Sequence, residues 1–291
     1  MFTEKTTLQD IYDTQEFAGF ARRLFPLDLN LSPKMTLAEA TKALPWYNSY
    51  ALPSRTVSIM NELRGRVRAG QTIFYEIYSP EEQAKDPSKK RTGLVFFQGN
   101  PNQRVAIVNA GGAFQFVGAL QDSFPHCQYL ARQGYNAFAL IYRPGAKTGQ
   151  EDLARAIAFL HEHEKELEID MTDYSLWGGS AGARLAAWLG NKGTEPFGEF
   201  TYPKAGAIVM QYTGFNQVTG QEPPTMAVVG TADWIADYQV MQARIAAICE
   251  NGTPAICNVY QHLNHGFGLG EGTVAEGWID KAIHFWKENM R

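Results

Sequence analysis

The sequence predicts an α/β fold built on a mostly parallel sheet with an antiparallel start. Strand-like and helix-like stretches alternate from about residue 71 onward. The first two or three strand-like stretches have no helix between them, and repeated strand–helix units follow, which is the pattern of a sheet that starts antiparallel and continues parallel. One strand-like stretch also runs through Gly178-Gly-Ser-Ala-Gly182 straight into a helix-like one. A chain of 291 residues that is 45% hydrophobic and 19% charged can bury a large core, and folds of this class and size are commonly single.

Taken in order, residues 36–43 and 55–67 read as helices set among proline-containing joints at Pro33, Pro45 and Pro53, with no strand between them. Phe17, Phe20, Leu24, Phe25, Trp46, Tyr47 and Tyr50 make this region too apolar for a disordered tail. Residues 1–70 are therefore expected to pack as a helical segment on the main body at 71–291, over the carboxyl ends of the strands where such sheets bind ligands. Residues 72–78 are β-branched and aromatic, 81–91 are polar, 93–98 read as a strand, 100–103 as a turn and 104–109 as a third strand. Residues 118–132 look helical, with Pro125 obliged to sit in the first turns or to break the helix. A strand at 137–142 precedes a helix at 151–167, where Leu153, Ile157 and Leu160 recur at helical spacing. A short buried strand at 174–177 and a helix from 183 flank the glycine-rich turn. Strands at 205–211, 226–229 and 256–261 follow, with a helix from about 235 to 249 between the last two and another at 275–287.

The formal net charge of −4 argues against nucleic acid and anionic membranes as partners. Cys127, Cys249 and Cys257 have the spacing of neither a disulfide framework nor a metal site. The first residues are polar and mixed in charge, and no stretch approaches the ~18 apolar residues of a membrane span. The expectation is a soluble cytoplasmic protein acting on a small molecule.

The turn at 178–182 is where chemistry is expected. G-x-S-x-G between a strand and a helix forces its serine into a strained conformation that presents the hydroxyl above a helix N-terminus. The flanking glycines let strand and helix approach. With 27 glycines in 291 residues, chance alone supplies on the order of 0.1 such motifs. Ser180 is the candidate nucleophile, and it needs a base that an acid orients. Among the six histidines, His161 and His163 lie in a charged helical end that reads as solvated, with Lys165 where a zinc-protease motif needs its second histidine. His126 and His284 read as structural. His262 and His265 sit beyond the last strand in a glycine-rich loop; His265, beside Gly266, is the better placed base, and the alternative reading of His262 is a strand-end packing residue. Asp233, at the end of 226–233, is the better placed acid, with Asp237 the alternative four residues on. The order Ser180, Asp233, His265 is one of the known triad orders. The Ala181 amide at the helix start supplies one oxyanion donor, and Asn109-Ala-Gly-Gly-Ala-Phe114 supplies a loop from which Gly112 and Ala113 can present others.

These motifs together resemble the α/β-hydrolases, in particular the acetylxylan/feruloyl-esterase-like, small bacterial esterase branch. Asn109-Ala-Gly-Gly-Ala-Phe114 is similar to its oxyanion motif, Leu140-Ile-Tyr-Arg-Pro144 to its aspartate-tyrosine-arginine strand end, and 178–186 to its elbow. Gly230-Thr-Ala-Asp233 and His265-Gly-Phe267 look like its acid and base motifs, so the resemblance spans roughly 72–291. Ala110 stands in place of the oxyanion-motif histidine and Ile141 in place of the aspartate, departures that bear on how the oxyanion loop is supported. The resemblance implies an α/β-hydrolase fold with helices on both faces and a carboxylic-ester hydrolase with short-acyl substrates, acetylated sugars among the candidates, and neither metal nor organic cofactor. An amide hydrolase of peptidase or formamidase type, or a non-catalytic receptor on the same fold, are the alternatives. Only about 14 residues separate the strands at 205–211 and 226–229, too few for an inserted lid. Cover for the pocket is therefore expected from residues 1–70, with Trp46 and Tyr47 shaping acyl selectivity.

Overall fold

The computed structural model describes residues 1–290; Arg291, where the expected catalytic segment ends, lies outside the described residues. Among the described residues, eight strands form one sheet. They are β1 Phe74–Tyr75, β2 Gly93–Phe97, β3 Gln103–Asn109, β4 Asn136–Ile141, β5 Ile169–Gly179, β6 Ala207–Gln211, β7 Thr225–Gly230 and β8 Ala255–Tyr260, in spatial order β1-β2-β4-β3-β5-β6-β7-β8. β2 runs antiparallel to β1 and β4, and the pairs from β4 across to β8 are parallel. β2, β4, β6 and β7 are buried at every position, so both faces of the sheet are covered, as a parallel sheet requires. The helices Phe124–Arg132, Ala146–Glu162, Ala181–Lys192, Tyr238–Glu250 and Trp278–Glu288 pack around it.

Register decides where a ligand can meet the sheet. Asn109 of β3 pairs with Gly178 of β5, Gly179 with Gln211 of β6, Gln211 with Val228 of β7, and Gly230 with Tyr260 of β8. The carboxyl ends thus line one edge. The chain proceeds outward from β3 to β4 on one side and from β5 to β8 on the other. The edge between β3 and β5 is therefore the switch point at which open α/β sheets bind ligands.

Several elements differ from the sequence expectation for local reasons. The strand expected at 72–78 narrows to Phe74–Tyr75, because Tyr78 turns inward to donate its hydroxyl to Asp152. The helix expected at 118–132 is two, Ala119–Asp122 and Phe124–Arg132, broken at Ser123 with Pro125 in the first turn of the second. The strand before the elbow is longer than 174–177 and takes in both glycines. Asp237 lies outside the next helix as its N-cap, accepting from the Gln239 amide. His161 is half-buried and stacks on Tyr202 at 5.1 Å, whereas His284 is exposed and pairs with Glu288.

The first 70 residues hold the helices Leu8–Tyr12, Leu37–Lys42 and Pro53–Arg68. Thr7 with Asp10 and Thr36 with Glu39 form capping boxes, which make such short helices definite by satisfying amides that a first turn leaves free. Leu8, Ile11, Phe17, Leu24, Leu37 and Leu44 are fully buried in a core continuous with that of the sheet. Phe20 stacks on Phe74 of β1 at 5.0 Å, and Glu62 of the longest of these helices accepts from Gln128 and Arg132. No helix among the described residues is long and apolar enough to cross a membrane.

Candidate active site

Ser180 sits between β5 and the helix Ala181–Lys192 with φ 52° and ψ −115°, a region nearly closed to non-glycine residues. The strain is held by the neighbours. The Ser180 amide donates to the Gln211 carbonyl at 2.9 Å, tying the turn to β6. A β-carbon on Gly178 would collide with the Gly182 carbonyl, and one on Gly182 would collide with the carbonyl of Asn109. The two motif glycines are therefore where the helix start crosses β5 and β3 at backbone distance. Gly182→Ala is expected to destabilise the fold by about 1–3 kcal/mol through overpacking, measurable as a lower midpoint in urea unfolding.

His265 and Asp233 reach the same edge from loops after β8 and β7. The Nδ1 of His265 lies 2.8 Å from Asp233 Oδ2, and both side chains are buried. The other oxygen of Asp233 accepts from the amides of Ile235 and Ala236 at 2.9 and 2.8 Å, which fixes the carboxylate. Nδ1 being engaged, Nε2 is the ring nitrogen left for proton transfer. His262 is exposed at a turn, its amide donating to Thr231 Oγ1, and the Asp237 carboxylate caps its own helix. Of the two histidines and two aspartates weighed, the structure brings together His265 and Asp233.

The loop after β3 has three consecutive positive φ values, 129° at Gly112, 54° at Ala113 and 59° at Phe114. Left-handed conformations at alanine and phenylalanine are costly and need external support. The Gly112 carbonyl accepts from the amides of Gln115 and Phe116, Gly118 donates to Gly111, and the Phe114 carbonyl accepts from the Gly145 amide. The amides of Gly112, Ala113 and Ala181 donate to no group among the described residues. They lie beside Ser180: a β-carbon on Gly111 would stand 2.8 Å from that of Ser180.

Where Ala110 and Ile141 depart from the resemblance, other groups support this loop. The Tyr142 hydroxyl donates to the Ala110 carbonyl at 2.7 Å. Asp122, fully buried, accepts from the Gly111 amide at 2.7 Å, from the Tyr47 hydroxyl at 3.0 Å and from the Tyr212 hydroxyl. Burial pushes the Asp122 carboxyl up to about 6, although these three donors oppose the shift. The sequence reading did not single out Asp122 or Tyr212. Their only local signal is Asp122 standing next to the break that Pro125 foreshadowed.

Residues 46–50 wedge into this edge. A β-carbon on Gly266 would collide with the Trp46 carbonyl and stand 2.9 Å from the Tyr47 ring. Tyr50 accepts at its hydroxyl from the Asn264 amide and at its carbonyl from Gln121. Of the aromatic side chains near this edge and in the loop after β7, Tyr47 and Phe116 are fully buried and Trp234 is 75% exposed. Trp46 and Phe114 are half-buried; Trp46 stacks on Phe116 at 5.8 Å and Phe114 on Trp188 at 6.0 Å. A cavity of about 750 Å³ opens at the opposite, amino edge of the sheet, between residues such as Asp173, Lys204 and Pro254, and touches none of these groups. Among the described residues, no cluster of three His, Cys, Asp or Glu side chains is arranged to hold a metal ion.

Residues 98–214 match the BD-FAE family model, a span that contains the loop at 109–114, Tyr142, Arg143 and Ser180. No curated protein matches the sequence. Among solved structures, an acetyl ester-xyloside bifunctional hydrolase from Caldicellulosiruptor lactoaceticus is similar with a TM-score of 0.64 and 20% identity, over 74% of this chain and 95% of that one. The propionate-bound esterase Est2 from Thermogutta terrifontis gives 0.60 and 21%, over 68% of this chain and 89% of that one. Its butyrate-bound form gives 0.59 and 20% over the same shares. At these identities the likeness establishes the fold.

Proposed function

We propose that this chain, an α/β-hydrolase, is a serine carboxylic-ester hydrolase. The observation that carries this reading is the buried His265–Asp233 pair at the same sheet edge as a strained Ser180 and three undonated amides. Ser180 Oγ attacks the acyl carbon while His265 Nε2 takes its proton, and Asp233 holds the imidazole and stabilises the imidazolium that forms. The negative charge arising on the former carbonyl oxygen is met by the amides of Gly112 or Ala113 and of Ala181. As the tetrahedral species collapses, His265 returns the proton to the departing alcohol and leaves an acyl-Ser180. Water, deprotonated by the same nitrogen, releases the acid.

Substrates are esters of short acids, acetylated sugars among them. Support comes from the propionate and butyrate bound by one structural neighbour and the acetyl ester named for another. Residues 1–70 act as the cap, with Trp46 shaping acyl selectivity. Cys127, Cys249 and Cys257 are all free thiols, which fits a reducing compartment, and we place the enzyme in the cytoplasm.

The test is a p-nitrophenyl ester series followed by acetylated oligosaccharides. Turnover is expected on acetate to butyrate and to fall steeply beyond about four carbons, each misfit methylene costing ~1–3 kcal/mol. The acid limb of kcat/KM should rise with pH as the imidazole loses its proton, and EDTA should leave the rate unchanged. Loss of turnover on chelation, restored by zinc, overturns the serine mechanism; amide substrates outpacing esters would move the assignment to amide hydrolysis.

A further inference from the structure

Asp122 is a buried carboxylate that forms no ion pair among the described residues. All three of its donors, the Gly111 amide and the hydroxyls of Tyr47 and Tyr212, are neutral. Such a group is costly to keep in a core, and each of its contacts leads to a different part of the site. Gly111 precedes Gly112 in the oxyanion loop. Tyr212 lays its ring 4.8 Å from that of His265. Gly179, the residue before Ser180, has no room for a side chain because a β-carbon there would run into the Asp122 carboxylate.

We propose that Asp122 is a positioning residue of the reaction: its ionised carboxylate anchors the oxyanion loop through the Gly111 amide and steadies His265 through the Tyr212 hydroxyl. This rests on the ester-hydrolase reading above. The ionised form is the productive one, because a carboxylate can accept from all three donors at once, whereas a protonated acid gives up part of that capacity and adds a donor of its own. Its charge also favours the imidazolium that forms when Ser180 is deprotonated; Asp122 and His265 interact electrostatically. The titratable groups facing the carboxylate are Tyr47, Tyr142, Tyr212 and His265. Because the folded carboxyl titrates near 6 against an ordinary 3.8, folding stability drops as pH rises through that interval, and ionised Asp122 works against stability at neutral pH.

The experiment compares wild type, Asp122→Asn and Tyr212→Phe by steady-state kinetics on p-nitrophenyl acetate, pH profile and thermal unfolding, with a fluorophosphonate probe to report Ser180 reactivity. Asp122→Asn is expected to lower kcat by about 100-fold, the order seen for an oxyanion donor, with KM within about twofold. Its Tm should lack the fall that wild type shows as pH rises through the range in which Asp122 ionises. The acid limb of log kcat/KM should be steeper in wild type than in the variant, because protonation of Asp122 adds to it only in wild type. Tyr212→Phe removes one hydroxyl from the same network and should lower kcat about tenfold at constant KM, so the question is decided even where Asp122→Asn fails to fold. A wild-type kcat in either folded variant, or a slope that does not change, overturns this inference alone. A wild type that neither turns over esters nor reacts with the probe removes the ester reading and this inference together.

Discussion

Ser180→Ala and His265→Ala should each lower kcat by roughly 10⁴- to 10⁶-fold with the folded state intact, because nucleophile and base act as a unit and either loss removes the whole covalent route. Ser180→Ala removes one hydroxyl and should leave Tm near wild type, whereas His265 is buried against Tyr212 and His265→Ala should lower Tm while circular dichroism still reports the fold. Asp233→Asn belongs in the same class. Its carboxylate receives the Ile235 and Ala236 amides on one oxygen and the His265 ring on the other, and an amide in that place can turn a donor toward Nδ1 and impose the wrong tautomer. A loss of about 10⁴ in kcat is expected. Asp237→Asn should stay close to wild type, since asparagine caps a helix about as well as aspartate. If Asp237→Asn proved the more damaging of the two, the assignment of the acid would be wrong.

The parts of the site legible in the sequence are those written in a few consecutive residues. Gly178, Ser180 and Gly182 encode their own geometry, because the collisions that exclude other side chains involve the strand and helix they join and the neighbouring β3. His265-Gly266 and Gly230-Thr-Ala-Asp233 announce themselves as loops beyond strand ends. What remained hidden depends on contacts between distant segments. Asp122 meets Tyr47 across 75 residues and Tyr212 across 90, and no periodicity in residues 118–132 marks one aspartate as buried. His161 reads as solvated in a run of charges, yet Tyr202 and Tyr174 from other elements cover its ring. The support of the loop at 109–114 was hidden for the same reason: Ala110 and Ile141 show where it departs from the resemblance, while Tyr142 and Asp122 show their contacts only once β3, β4 and the broken helix are placed side by side.

Trp46 and Tyr47, adjacent in sequence, should respond to alanine in opposite ways. Tyr47 is fully buried, donates to Asp122 and fills the space between Gly111 and Gly266. Tyr47→Ala opens a cavity and leaves the buried carboxylate one donor short, a cost of about 3–5 kcal/mol, read as a Tm lower by roughly 10 °C. Turnover should fall with it, since both loops of the site lean on that ring. Trp46 is half-buried, adopts φ 69° and stacks on Phe116 at 5.8 Å. Trp46→Ala therefore removes less buried surface, and should lower Tm by only a few degrees while admitting acyl chains beyond about four carbons. Measuring the acyl-chain series and the melting temperature on both variants separates the roles. Selectivity that moves in Trp46→Ala with little loss of stability makes residues 1–70 a cap that shapes the substrate. If the acyl profile stays fixed in both variants while both melt early, the segment is packing for the catalytic body and nothing more.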